Sequence, residues 1–216
     1  MKGAFGERKS TRVKFCGITT VREATAAFDA GADAIGVILA PSPRRINYES
    51  SRRIAESVRE RGCLIAVVAQ DLSTVPRLCE AGFSIQFCAP VDSLAARRST
   101  GGTPYLRVIH LSPVSEPIST CDFAPDVMPV FDTAGALGLG GTGSPFRWSA
   151  VAGIAAARDV VIAGGLHARN VGACIQSVRP FGVDVRSGIE SGGRKSVAKM
   201  RAFIAAVREA DAQVYG

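Results

Sequence analysis

The sequence predicts a single-domain α/β protein folded as a (β/α)₈ barrel of the TIM type. Short, almost continuously apolar runs alternate with amphipathic stretches along the whole chain. Runs without polar alternation indicate parallel strands that are covered on both faces. About eight strand–helix units, with no Gly-x-Gly-x-x-Gly after the first strand, favour a closed barrel over an open doubly wound sheet.

The predicted elements follow one another in regular order. The strands are expected at 13–18, 34–39, 64–69, 84–88, 105–111, 127–132, 160–163 and 182–185. The helices are expected at 21–30, 50–61, 72–81, 91–98, 148–157, 168–177 and 196–210. Thr19 and Thr20 can cap the first helix, and Gly31 suits its C-terminal end. Residues 112–125 contain three prolines, so the fifth connection is predicted to be irregular.

Length and composition suit one globular enzyme domain. The chain has 216 residues, of which 47% are hydrophobic and 21% charged. We expect a flexible N-terminal tail over residues 1–12 and the barrel over residues 13–216. The tail has no apolar core of the kind a secretory signal carries, and no run approaches the roughly 20 apolar residues of a membrane span. These features predict a cytoplasmic protein that does not contact a membrane.

The net charge of +7 arises from scattered basic residues, not from a tract. This distribution argues against nucleic-acid binding and is compatible with a small anionic substrate. No large apolar patch is evident on the outer helix faces, so we expect a monomer. The cysteines are widely spaced, without a Cys-x-x-Cys pair, and are predicted to be free thiols that bind no metal. They are Cys16, Cys63, Cys79, Cys88, Cys121 and Cys174.

Two residues at predicted strand ends are candidates for acid–base chemistry, because function in this fold collects where the strands end. Cys16 closes the first strand and is a candidate base if its pKa is lowered. The alternative is an inert buried cysteine, which the residue type alone favours. Asp132 closes the sixth strand, where a carboxyl is costly to bury without a role or a partner. A helix cap or an ion pair is the alternative for Asp132.

Glycine-rich loops follow the last three predicted strands and indicate a phosphate site. Glycines allow backbone N–H groups to converge on an anion, and loops seven and eight form the recurring phosphate site of this fold. The residues expected there are Gly141, Gly164, Gly165, Ser187 and Gly188.

Arg44 and Arg45 follow the second predicted strand. A guanidinium at that rim can hold a substrate carboxylate bidentately. A solvated surface pair is the alternative for at least one of the two.

Taken together, these motifs resemble phosphoribosylanthranilate isomerase over residues 13–207. The segments that carry the resemblance lie at the predicted strand ends and in the loops that follow them. They are Lys-Phe-Cys-Gly-Ile-Thr at 14–19, Gly-Ala-Asp-Ala-Ile-Gly at 31–36 with Ser-Pro-Arg at 42–44, Phe-Asp-Thr at 131–133, Gly-Gly-Thr-Gly at 140–143, Phe-Arg-Trp at 146–148, Ala-Gly-Gly-Leu at 163–166, Asn-Val at 170–171 and Val-Asp-Val-Arg-Ser-Gly-Ile-Glu at 183–190.

The resemblance implies a specific reaction. The substrate is N-(5-phosphoribosyl)anthranilate and the product is 1-(2-carboxyphenylamino)-1-deoxyribulose 5-phosphate. Asp132 is the general acid that opens the furanose ring, and Cys16 is the general base that removes the C2 proton. Arg44 binds the anthranilate carboxylate, Asp184 joins the substrate-binding residues, and the glycine-rich loops bind the phosphate. No metal or organic cofactor is expected.

The sequence departs from the family pattern at several positions. Cys88 replaces the histidine that usually ends strand four, Arg186 replaces a serine, and Arg147 replaces an aspartate. The end of the third strand also differs, with Gln70 where the family has asparagine. The acid and the base are intact, so these changes bear on how the substrate is bound.

Two other functions fit the same features. One is a catalytically weak or silent barrel that binds a phosphorylated ligand. The other is a related phosphosugar isomerase with a shifted substrate. Bifunctional barrels of that kind are internally duplicated and carry an acidic base on the first strand, whereas this chain shows no half-to-half repeat and has Cys16 at that position.

Overall fold

The computed structural model describes residues 10–69, 71–112, 114–118, 123–133 and 145–216. Several positions singled out in the sequence lie outside these residues. They are Gly141 with most of the loop after strand six, Gln70, Cys121 and most of the predicted tail.

Eight parallel strands close into a barrel in chain order, which confirms the predicted fold class. Each strand pairs with the next, and the first pairs with the eighth. The strands are β1 (Arg12–Cys16), β2 (Ala34–Ile38), β3 (Cys63–Val68), β4 (Ser84–Phe87), β5 (Tyr105–Leu111), β6 (Val127–Thr133), β7 (Val161–Ile162) and β8 (Gly182–Val185).

Helices surround the barrel. They are α1 (Val21–Asp29), α2 (Tyr48–Val58), α3 (Val75–Glu80), α4 (Ser93–Ser99), α5 (Ala152–Ala157), α6 (Val171–Val178) and α7 (Val197–Tyr215). Short 3₁₀ helices cover Trp148–Val151 and Ser187–Ile189. Two short antiparallel strands, β9 (Glu190–Ser191) and β10 (Arg194–Lys195), form a small hairpin. The described residues between β5 and β6 form no helix, as their prolines predict.

Local capping explains where several helices begin. The Thr20 side chain accepts a hydrogen bond from the Glu23 backbone at the start of α1. Asn47 caps α2 in the same way, so this helix starts two residues earlier than the periodicity predicts. Gly31 follows α1 with φ +102°, a conformation that favours glycine.

Side chains along each strand alternate between the barrel interior and the helices. In β1, Val13 and Phe15 are fully buried in the large apolar cluster that the helices share with the barrel wall. Lys14 and Cys16 face inward instead. Both faces are therefore covered, which accounts for a continuously buried strand that still carries chemical groups on its inner face.

The barrel begins before the predicted boundary at residue 13. Thr11 is fully buried, and its backbone N–H and hydroxyl donate to the Asp211 carboxylate of α7, the hydroxyl at 2.6 Å. Arg12 already belongs to β1. Residues 11 and 12 are therefore held in the barrel, Thr11 by Asp211 two hundred positions away and Arg12 by its place in β1.

Five of the six cysteines lie in the described part of the chain, and all five are free. The described part of the chain contains no cluster of histidine, cysteine and carboxylate groups suited to a metal ion. No described helix is both long and apolar enough to cross a bilayer.

Candidate active site

A cavity opens at the carboxyl ends of the barrel strands and gathers most of the residues expected from sequence. Cys16 from β1 and Asp132 from β6 both line it. The other expected residues that line it are Gly164, Gly165, Asp184 and Ser187. Its wall also contains Gln86, Cys88, His110 and Arg186.

Below the cavity, a buried layer of polar side chains crosses the barrel interior. The Lys14 ammonium donates to Asp184 Oδ2 at 2.6 Å and to Gln86 Oε1 at 2.9 Å. All three side chains are at most 7% exposed. Asp184 Oδ1 is buried without a hydrogen-bond partner among the described residues, although Asp184 lines the cavity. Buried charges need this kind of pairing, so the layer fixes Lys14 beneath the cavity floor.

Lys14 and Cys16 lie side by side because Gly36 leaves room for them. Cys16 and Gly36 are partners in the β1–β2 register. A Cβ atom on Gly36 would lie 2.9 Å from Lys14 Cε and 3.0 Å from Cys16 Sγ. The missing side chain therefore provides the space in which the ammonium and the thiol come together.

The electrostatic environment of Cys16 is a balance of opposed effects. Burial raises the pKa of the thiol, and the Asp184 carboxylate raises it as well. Lys14, Lys195 and Arg186 each lower it through their positive charge. Burial prevails, so the pKa of Cys16 lies above its ordinary value and the unliganded site holds mainly the thiol.

The surroundings of Asp132 raise the pKa of its carboxyl above the ordinary value. Burial is the largest cause that raises the pKa of this carboxyl, and the nearby Asp184 carboxylate raises it further. His110 and Arg186 act in the opposite direction but do not prevail. Gly164 packs against this group so closely that a Cβ there would lie 2.7 Å from Asp132 Oδ1.

The loops after β7 and β8 contact each other through their backbones. Gly164 and Gly165 adopt φ +84° and +64°, which favours glycine at both positions. A Cβ on Gly188 would lie 2.0 Å from the Leu166 carbonyl oxygen, so only glycine fits there. The Asn170 amide donates to the Gly165 carbonyl at 3.0 Å and steadies the turn. Exposed N–H groups of such consecutive turns can form a concave anion site.

Arg44 is held just outside the cavity lining. Its guanidinium donates to the Gly17 carbonyl, to the Gly193 carbonyl at 2.8 Å, and to Glu23 Oε1 at 2.7 Å. It also lies 3.7 Å from Glu190. The Glu23 and Glu190 carboxylates of this chain therefore already balance much of the charge of the Arg44 guanidinium. Arg45 is exposed.

Arg186 is the arginine that lines the cavity itself. Its side chain flanks Gly17 opposite Arg44: a Cβ on Gly17 would lie 3.2 Å from Arg44 Cδ and 3.4 Å from Arg186 Cγ. The Arg186 backbone carbonyl accepts a hydrogen bond from Lys195. Its guanidinium has no hydrogen-bond or ion-pair partner in the described part of the chain. Arg147, by contrast, is exposed at the start of a 3₁₀ helix.

Lys14, Gln86 and His110 also belong to the site, although none of them was predicted from the sequence as a site residue. Lys14 precedes Cys16 by two residues, and period-two alternation puts both on the inner face of the same strand. That signal was available in the sequence. Gln86 and His110 lie inside apolar strands in the same way, but their contacts depend on how the barrel closes.

We expect Lys14→Met to slow the alkylation of Cys16, because Lys14 lowers the pKa of this thiol. Iodoacetamide labelling across a pH series, read for each cysteine by peptide mass spectrometry, measures the effect. Labelling of the exposed Cys63 is the internal control for the activity of the reagent. The fully buried Cys174 stays unlabelled as long as the fold is intact. An unchanged pH profile for Cys16, with Cys174 unreactive, would contradict the pairing of Lys14 with the thiol.

The fold and the cavity define the class of protein: a (β/α)₈-barrel enzyme with its site at the carboxyl ends of the strands. Residues 13–206 match the family model of N-(5'-phosphoribosyl)anthranilate (PRA) isomerase. The chain therefore belongs to the phosphoribosylanthranilate isomerase family.

Individual relatives agree over almost the full length. The N-(5'-phosphoribosyl)anthranilate isomerase of Dechloromonas aromatica is 38% identical over 212 residues, covering 94% of this chain and 99% of the relative. The crystal structure of the Thermus thermophilus phosphoribosyl anthranilate isomerase is 29% identical, with a TM-score of 0.79 and coverage of 92% and 99%. A further crystal structure, of the isomerase in complex with reduced 1-(o-carboxyphenylamino)-1-deoxyribulose 5-phosphate, is 25% identical with a TM-score of 0.75 and the same coverage.

Proposed function

We propose that this chain catalyses the Amadori rearrangement of N-(5-phosphoribosyl)anthranilate to 1-(2-carboxyphenylamino)-1-deoxyribulose 5-phosphate in tryptophan biosynthesis. Family membership supports the reaction. The observation that carries the assignment of roles is that Cys16 from β1 and Asp132 from β6 line one cavity. The rearrangement needs one group that donates a proton and one that accepts a proton.

In the first step Asp132 donates its proton to the furanose ring oxygen. The bond between that oxygen and C1 breaks, and the nitrogen lone pair forms a C=N bond, which gives a cationic Schiff base. The raised pKa of Asp132 supports this role, because a carboxyl that retains its proton is available as an acid.

In the second step the Cys16 thiolate removes the C2 proton. The electron pair of the C2–H bond forms a C1=C2 double bond, and the C=N pair returns to nitrogen, which gives a neutral enolamine. Protonation at C1 and loss of the C2 hydroxyl proton then yield the ketone.

The positive charge of the Schiff base also favours ionisation of the Cys16 thiol, which is unfavourable in the unliganded protein. Burial raises the pKa of this thiol in the unliganded protein. A cation that forms next to it favours the thiolate, as Lys14 and Arg186 already do. Loss of the thiol proton to solvent then gives the thiolate at the stage at which the C2 proton becomes acidic.

We propose that the substrate phosphate is bound by the backbone at Gly164, Gly165, Ser187 and Gly188. The left-handed glycine pair and the contact between the two loops support this placement. Gly141, expected from sequence to join them, lies outside the described residues. Asp184 Oδ1 has no hydrogen-bond partner among the described residues and is proposed to accept a hydrogen bond from a substrate hydroxyl, while Oδ2 stays bonded to Lys14.

We propose that the anthranilate carboxylate lies at the rim formed by Arg44 and Arg186. Their stems flank Gly17, next to the proposed base. Glu23 and Glu190 balance the charge of Arg44, whereas Arg186 has no such partner in the described part of the chain. A carboxylate placed at the rim can pair with Arg186 and with a remaining N–H group of Arg44.

Arg44→Ala and Arg186→Ala should each lower kcat/KM by about ten- to a hundred-fold, the range for loss of a charged hydrogen bond. Arg45→Ala, an exposed neighbour, is the matched control and should be nearly silent. The same variants are then assayed on the phosphoribosyl derivative of aniline, which lacks the carboxylate. Equal losses on both substrates would show that neither arginine binds the carboxylate.

Genetic complementation tests the proposed activity. The wild-type gene should restore growth without tryptophan to a strain that lacks this isomerase, and the Cys16→Ala gene should not. Failure of the wild type, at a confirmed level of soluble protein, would favour a silent barrel or a shifted substrate.

The quaternary and cellular expectations stay predictions. The exposed large hydrophobic residues in the described part of the chain are Val21, Leu94, Val114 and Val197. These few residues give no evidence of a large apolar patch among the described residues, so we propose a monomer. Light scattering after size exclusion measures the oligomeric state directly. Cytoplasmic location and the absence of a nucleic-acid partner remain predictions from the sequence.

A further inference from the structure

His110 is a cavity residue to which neither the sequence nor the proposed mechanism assigns a role. It lies near the end of β5 and pairs in register with Asp132 on β6. Both of its ring nitrogens are buried, and neither has a hydrogen-bond partner among the described residues. Buried polar atoms in proteins are nearly always paired, and an unpaired one costs free energy. An imidazole left unpaired in the wall of a cavity therefore points to a ligand that completes its hydrogen bonds.

The neighbouring strand has lost an imidazole. Cys88, just beyond β4, lines the same cavity at the position where the family pattern has histidine. A thiol is a weak hydrogen-bond donor and acceptor, so Cys88 cannot replace that ring. β4 and β5 are adjacent in the barrel, which brings Cys88 and His110 to the same side of the cavity.

We propose that His110 binds a sugar hydroxyl of the ring-opened substrate next to Asp132, and that it supplies from β5 the imidazole that β4 lacks. This inference rests on the proposed isomerase function. When Asp132 protonates the furanose oxygen, that atom becomes a hydroxyl beside the imidazole. The two ring nitrogens of an imidazole are polar groups that can form hydrogen bonds with a hydroxyl, which both donates and accepts.

Binding is tested by NMR of protein labelled with ¹⁵N in its histidines. The chain has two histidines, so a His167→Gln variant assigns both sets of ring signals. The reduced product analogue should shift the ring nitrogens of His110, whereas inorganic phosphate, which lacks the sugar, should leave them in place. Unshifted His110 signals at saturation with the analogue would overturn the proposal.

Steady-state kinetics of His110 variants distinguish a hydrogen bond to the substrate from a side chain that only fills space. His110→Leu fills the space without polar atoms and should lower kcat/KM about ten- to a hundred-fold. His110→Gln retains a donor and an acceptor and should lose about five-fold or less. Adding Cys88→His to His110→Leu should recover at least about ten-fold. Equal losses in the Leu and Gln variants, or no recovery in the double variant, would contradict the inference.

The wild type is assayed beside these variants, with melting temperatures to confirm folding. An inactive wild type would count against the proposed isomerase function. An active wild type whose His110→Leu variant stays within about two-fold would overturn the inference about His110 alone.

Discussion

Replacing Cys16 with alanine is expected to lower kcat by roughly two to four orders of magnitude while KM changes little. The thiolate acts in the transition state for C2 proton removal, so its loss should affect turnover more than substrate binding. The small Cys-to-Ala change keeps the strand buried and leaves the Lys14–Asp184 pair intact. Steady-state assays at saturating substrate measure kcat directly.

Cys63→Ala is the matched control for that experiment. Cys63 is an exposed thiol at the start of β3, at the opposite end of the strands from the cavity. Its replacement should leave kcat within about two-fold, as is usual for surface substitutions. Near-normal turnover by Cys16→Ala would mean that another group removes the C2 proton.

Replacing Asp132 with asparagine should also lower kcat by roughly two to four orders of magnitude. The amide has nearly the same shape but cannot release a proton to the ring oxygen. Burial raises the pKa of Asp132, which favours the protonated form that the first step needs. A substrate analogue should bind the variant with almost unchanged affinity, since the change removes the acid and not the cavity.

Asp126→Asn is the matched control at the other end of β6. Asp126 forms an ion pair with Arg97 at the protein surface, and such pairs contribute little to stability. We expect normal kcat and a nearly unchanged melting temperature. Equal loss of activity in both variants would indicate a general effect on the barrel and not loss of the acid.

The barrel and the centre of the site could be predicted because local signals encode them. Buried parallel strands appear as continuous apolar runs, and the C-terminal ends of those strands mark where function collects in this fold. Cys16, Asp132 and the Gly164–Gly165 turn were found by that rule. The structure brings all of them to one cavity.

The placement of other residues could not be predicted, because it depends on partners that are distant in the sequence. Thr11 belongs to the barrel because Asp211 binds it, and Arg44 is held just outside the cavity lining by Glu23 and Glu190. Neither partner can be chosen from a list of charged residues in a single sequence. His110 lies in an apolar strand, and its unpaired nitrogens become evident only once the barrel closes around the cavity.

We propose that this chain is an active isomerase that works through Cys16 and Asp132. Steady-state turnover of freshly prepared N-(5-phosphoribosyl)anthranilate, followed by the loss of anthranilate-type fluorescence with the product identified by mass and retention time, tests it most directly. We predict saturable conversion by the wild type and almost none by the Cys16→Ala/Asp132→Asn double variant. Wild-type protein that is folded, binds phosphate and leaves the substrate unchanged would contradict the claim.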